Sequence, residues 1–79
     1  MKSVHSDTYK AVVYALKQAR LRAGLTQQQV AKRLGRPQSF VAKYESGERR
    51  VDVAEFIAIA RAVGVEPRRV FADIVRRVT

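Results

Sequence analysis

The sequence predicts an all-α domain, a compact bundle of five helices. Three observations predict it. Apolar residues recur at spacings of three and four in five successive segments, and no segment alternates with the period of two that a half-buried strand requires. Each segment is closed by a glycine or opened by a residue that caps helix N-termini. The chain has 79 residues and no cysteine, so packing alone must stabilise it, and a small helical bundle is the economical way to do so.

The first helix is expected over Thr8–Ala23. Tyr9, Val12, Val13, Leu16 and Ala19 make its apolar stripe, Ser6 or Asp7 can cap it, and Gly24 can end it in the left-handed conformation that glycine adopts at least cost. Residues 1–7 are polar without periodicity and read as a flexible arm. In "LTQQQVAKRLG", Thr26 and Gln29 have capping-box spacing, and Val30, Ala31 and Leu34 give a one-sided stripe before Gly35. This second helix is short and depends on tertiary packing. Only Gly35, Arg36 and Pro37 separate it from a third helix that Gly47 ends, and proline suits a helix start because its missing N–H costs nothing there. Asp52, with Glu55 three residues on, caps a fourth helix over Val53–Val63 that buries Phe56, Ile59, Ala60 and Val63. After Gly64, Glu66 is expected to cap a fifth helix with Pro67 in its first turn, burying Val70, Phe71 and Ile74, with Val78 continuing the stripe toward the C-terminus.

Charge separates the two halves. Sixteen Lys and Arg against seven Asp and Glu give a net charge of +9. Between Thr8 and Tyr44 there is no acid, while Lys10, Lys17, Arg20, Arg22, Lys32, Arg33, Arg36 and Lys43 all fall there. A field of one sign suits a polyanion. The third helix refines this reading. Phe40, Val41 and Tyr44 fall on one side of its wheel, and Gln38, Ser39, Ala42, Lys43 and Ser46 on the other. That outer side has amide, hydroxyl and small side chains, one lysine and no carboxylate. Two short helices joined by a glycine-containing turn, here over residues 26–46, form a helix-turn-helix unit.

"LTQQQVAKRLG", "QSFVAKYESG" and "FIAIARAVGV", in this order, resemble the Cro/C1-type helix-turn-helix DNA-binding domain, the XRE-like or lambda-repressor-like family. Arg20 followed by "AGLTQ" at 23–27 and Glu45-Ser46-Gly47 at the end of helix three match further family elements. The match runs over roughly residues 9–75. It implies five helices in one domain over 1–79, bound to double-stranded DNA as a homodimer with the start of helix three in the major groove. By resemblance, Gln38, Ser39 and Lys43 read base edges. Their chemistry agrees: a glutamine amide matches adenine N6 and N7, a lysine can donate to guanine O6 or N7, and a serine hydroxyl can do either. Lys43 has a phosphate as its alternative target.

Gln27, in the first turn of helix two, is implied as a DNA-backbone contact whose side chain can bond Gln38. Arg36, Arg49 and Arg50 flank helix three in loops and are phosphate candidates, with plain surface charge as the alternative; Ser46 joins them at the helix end. Phe40 is ambiguous, since the wheel turns it inward while the family often shows an aromatic beside the DNA backbone here. Arg20 and Glu45 match positions that pair across the bundle as a structural ion pair. The dimer surface is weakly signalled, with Ile57, Val75 and Val78 as apolar candidates.

Other functions fit poorly. The single histidine, His5, lies in the arm, and no serine or acid has an activating partner, so neither an enzyme nor a metal site nor a cofactor is expected. No stretch is long and apolar enough to span a bilayer. "RRVFADIVRRV" is basic and amphipathic, but Phe71 and Ile74 are expected in the core rather than on a membrane surface. The expected place is the cytoplasm. In a chain this short no sensing domain is expected, so regulation falls to concentration, dimerisation or a partner. The alternative from another class is an interaction module of the same fold, such as an antitoxin that binds a protein toxin, or a coactivator that contacts the transcription machinery.

Overall fold

A computed structural model describes residues 6–79, so residues 1–5, most of the expected arm together with His5, lie outside the described residues. Among the described residues there are five helices and no strand: α1 (Asp7–Arg22), α2 (Gln27–Leu34), α3 (Gln38–Glu45), α4 (Val53–Ala62) and α5 (Pro67–Val78). Each lies within two residues of its expected bounds. Ser6 caps α1 by accepting from the Tyr9 amide at 3.1 Å, so the last two residues of the expected arm belong to the helix start. Both capping boxes form. Thr26 Oγ1 accepts from the Gln29 amide while Gln29 Oε1 accepts from that of Thr26, and Asp52 and Glu55 do the same for α4.

Gly35 has φ 68°, the left-handed region, and its amide bonds the carbonyl of Lys32. That conformation turns the chain sharply enough for only three residues to separate α2 from α3. The core is drawn from all five helices. Leu16, Val30, Val41, Tyr44, Ile59 and Ala60 are almost fully buried, and Val63, Val70 and Ile74 close it from the C-terminal side. α1 spans the bundle, packing on α3, α4 and α5, while α2 packs on α3 and α4. α5 rests on α1 and α4, which leaves α3 with an open flank.

Two expectations about the C-terminal helix fail. Phe71 is 59 % exposed rather than buried, because α5 packs mainly on α1 and α4 and Val70 and Ile74 already fill that contact. Val75 and Val78 lie exposed on the same flank, and Phe56 is only half-buried. Glu66 occupies the cap position of α5, but its side chain makes no capping hydrogen bond and lies 3.6 Å from Arg68 instead. Pro67 sets the helix start by its fixed φ.

Candidate nucleic-acid interface

The site begins inside the bundle. Arg20, on the last turn of α1, and Glu45, on the last turn of α3, form a bidentate pair: Nε donates to Oε2 at 2.8 Å and Nη2 to Oε1 at 2.9 Å. The Arg20 side chain is 9 % exposed and that of Glu45 3 %. The third arm of the guanidinium, Nη1, donates to the Leu25 carbonyl at 2.8 Å, which ties the α1–α2 turn to the same centre. The hydrogen bond to Glu45 holds the Arg20 pKa above its ordinary value against the opposing effect of burial.

The network then runs outward. Gln27, at the start of α2, donates Nε2 to Glu45 Oε1 at 2.9 Å, and Gln38, at the start of α3, donates Nε2 to Gln27 Oε1 at 2.8 Å. Four side chains from three helices thus link a buried charge to an exposed amide. Glu45 only accepts, so Gln27 must turn its amino group to it and its carbonyl oxygen to Gln38. Gln38 in turn gives one N–H to Gln27, leaving its carbonyl oxygen and a second N–H for another partner.

Gln38, Ser39 and Lys43 are all exposed, side by side on the outer face of α3, with Ala42 between them half-buried. Among the described residues no side chain caps the α3 N-terminus, since Pro37 holds that position. At the other end, Ser46 Oγ donates to the Lys43 carbonyl at 3.0 Å, and Gly47 at φ 82° turns the chain away.

Phe40 points inward. It is 7 % exposed, edge-on to Tyr44 with ring centroids 5.5 Å apart. Its outer surface is roofed by two guanidiniums: Arg36 lies 4.4 Å and Arg49 4.7 Å from the ring centroid. Of the two readings of Phe40, the ring takes the inward one and offers no exposed face to a DNA backbone. The ring acts as a platform that places two cations beside the reading face. Glu55 holds them from the far side, with bidentate bonds from Arg49 at 2.8 and 2.9 Å and Arg36 at 3.7 Å. These bonds, Arg49 first and the Asp52 amide second, lower the Glu55 carboxyl pKa from 4.5 to about 2. The Arg49 pKa rises for the same reason.

Tyr9 and Glu55 contribute more than their sequence positions foretold. Tyr9 Oη accepts from the Val51 amide at 2.9 Å and donates to the Arg49 carbonyl at 3.4 Å, so a residue legible only as apolar stripe anchors the loop after α3. The Arg50 guanidinium lies 4.4 Å from the centroid of the same ring. The available signal was general: a buried tyrosine needs a partner for its hydroxyl. Glu55 was legible as a cap and not as the acceptor of two arginines on other elements.

Paired helices in a tight turn, an exposed amide–hydroxyl–ammonium face and a cationic rim define a helix-turn-helix DNA-binding domain. A helix-turn-helix family profile matches residues 16–70. The fold aligns with an XRE-family-like protein from Pseudomonas syringae pathovar tomato at TM-score 0.89 and 42 % identity, over 99 % of this chain and 95 % of that one. The chain belongs to the XRE-type helix-turn-helix family, a family of DNA-binding transcription regulators. It is also similar to the restriction–modification controller protein C.AhdI from Aeromonas hydrophila, at TM-score 0.69 and 31 % identity over 77 % of this chain and 92 % of that one. It shares its fold with the clp gene regulator ClgR from C. glutamicum, at TM-score 0.81 and 18 % identity over 94 % and 96 % of the two chains. Comparison with curated proteins by sequence finds no match. Among the described residues no helix is long and apolar enough to cross a membrane.

Proposed function

We propose that this chain is a sequence-specific regulator of transcription that binds double-stranded DNA as a homodimer on a palindromic operator, in the manner of a small phage-type repressor or a restriction–modification controller. The observation that carries the reading is the exposed Gln38–Ser39–Lys43 face, whose leading amide is fixed in direction by Gln27. Gln38 retains the acceptor and donor that adenine N6 and N7 require, Ser39 and Lys43 add adaptable donors, Arg36 supplies charge to the phosphate rim together with the loop residues Arg49 and Arg50, and Gln27 and Ser46 add neutral polar side chains there. The exposed Phe71, Val75 and Val78 flank of α5 supports self-association, because a small monomer gains by covering such a patch. Two-fold pairing then sets the half-sites about 34 Å apart, one helical turn.

Selection of binding sites from a random duplex pool at two salt concentrations tests the proposal. An inverted repeat with that spacing is expected, and Gln38→Ala is expected to lose about 1–3 kcal/mol of affinity and to relax the preference at one base pair of each half-site. Enrichment of no motif, or Gln38→Ala binding the selected site as tightly as the parent, would overturn it. Phe71→Ser with Val75→Ser is expected to lower the association state in sedimentation without unfolding the chain.

A further inference from the structure

A second charged surface lies away from α3. α1 and the α4–α5 turn with α5 enclose an open groove of about 910 Å³. Its floor is apolar, made by Ala15, Ala19, Val63, Val65 and Val70. Its walls carry four arginines, Arg22, Arg69, Arg76 and Arg77, against two acids, Glu66 and Asp73. Both acids are engaged, Asp73 by Arg76 and Glu66 by Arg68. Arg77 stacks on Tyr14 at 4.5 Å. Arg22 and Arg69 are exposed, and among the described residues neither guanidinium has a hydrogen bond or an ion pair. Two open cations thus stand over an apolar trench, on opposite walls.

We infer that this groove docks an acidic segment of another protein, one that places an apolar side chain on the Ala19–Val65–Val70 floor and carboxylates against Arg22 and Arg69. Charge complementarity selects the occupant. A second copy of this chain is a poor fit. Of its seven acids, Glu45 is buried, Glu55 is held by Arg49, Asp52 caps α4, Glu66 and Asp73 are already paired, and Asp7 and Glu48 stand singly far apart in the sequence, so no acidic run remains to offer. Duplex DNA is a poor occupant as well: none of Gln38, Ser39 and Lys43 lines the groove, and its apolar floor gives a phosphate backbone nothing to bond. A peptide can enter, and can do so while α3 is occupied. The inference stands on the groove's own chemistry and does not need the DNA reading.

Amide NMR titration of the whole chain with a short amphipathic peptide of glutamate and leucine tests it, with a lysine–leucine peptide as control and with duplex DNA added in a parallel series. Shifts are expected at Ala23, Gly64, Val65 and Arg69 with the acidic peptide only, and to persist when the duplex is present. Arg22→Gln with Arg69→Gln, both exposed positions whose fold the same spectra check, is expected to weaken the peptide about tenfold. Shifts confined to Gln38, Ser39 and Lys43, unchanged affinity in the double variant, equal binding of the lysine peptide, or displacement of the acidic peptide from the groove by duplex DNA would each overturn the inference.

Discussion

Replacing Glu45 by alanine should unfold much of what the site depends on, and the structure sets the size of the effect. The substitution removes the acceptor of three hydrogen bonds, two from Arg20 and one from Gln27. It leaves the Arg20 guanidinium 9 % exposed with the Leu25 carbonyl as its remaining partner. Gln27 is half-exposed, so water can replace its lost bond at little cost. Arg20 has no such access. Breaking one side of a buried pair costs about 3–5 kcal/mol, and the lower end applies because one bond to the guanidinium survives. A domain of this length has roughly 4–12 kcal/mol to lose. About 3 kcal/mol therefore lowers the melting temperature by roughly 12–24 °C. The assay is urea denaturation together with thermal melting, on Glu45→Ala, Arg20→Met and the apolar pair Arg20→Met with Glu45→Leu. The apolar pair should return to within about 1 kcal/mol of the parent, since a packed apolar pair escapes the desolvation that opposes the ionic one. It should still bind DNA less well, because Gln27 and Gln38 lose their orientation. A loss below about 1 kcal/mol in Glu45→Ala, or an apolar pair as unstable as the two single changes added together, refutes the reasoning.

Glu55 links stability to acid. Its carboxyl pKa falls from 4.5 to about 2 on folding, so its contribution is complete above about pH 4.5 and is lost as pH drops through about 2. Glu55→Gln keeps a cap for the Asp52 amide but loses the arginines; in melts across pH it should be the less stable protein at neutrality, with the gap closing toward pH 2, and a gap independent of pH would contradict the assignment. Tyr44 is fully buried, its phenol pKa is pushed well up by that burial, and among the described residues its hydroxyl has no partner. Tyr44→Phe should therefore be neutral or stabilising by about 1 kcal/mol in urea denaturation, and a comparable loss would reveal a hidden hydrogen bond. Gly35→Ala meets no atom within 4 Å, so its cost is conformational alone, about 1 kcal/mol from φ 68°, and an unchanged midpoint would deny that turn. In DNA binding, Arg36→Ala should lower the salt slope by about 0.9 per protomer. Arg49→Ala should lower it less, because Glu55 already neutralises Arg49; equal slopes would show that DNA pulls Arg49 off Glu55.

The order of helices was legible because its signals are local. Thr26 with Gln29, and Asp52 with Glu55, are contacts across three residues, and a sequence displays them directly. The Arg20–Glu45 pair and the Gln27–Gln38 bond cross between helices, and came through the family resemblance rather than through spacing. Phe71 was misplaced because periodicity gives the angular range of an apolar face and not which neighbours cover it. Val70 and Ile74 take the contact with α1 and α4, and Phe71, turned aside on the same helix, is left mostly exposed. Phe40 was undecidable for a related reason. Its wheel position lies inward, but what settles its exposure is the roof of Arg36 and Arg49, two loop residues brought together by the α2–α3 turn and the Tyr9-anchored loop.

These long-range contacts share a consequence. An exposed glutamine ordinarily rotates its amide freely and offers donor and acceptor in either order. Here the order is set from the core. Arg20 fixes the Glu45 carboxylate, the carboxylate fixes which end of the Gln27 amide faces it, and Gln27 fixes which end of the Gln38 amide turns inward. Each step is forced by the one before, because a carboxylate cannot donate and an amide has one end of each kind. The rotational freedom that Gln38 would lose on meeting a base is lost at folding instead, which lowers the cost of association. The buried pair adds little net stability once desolvation is counted. Its value lies in direction: a charge with almost no exposure determines the hydrogen-bonding pattern of an amide that is open to solvent.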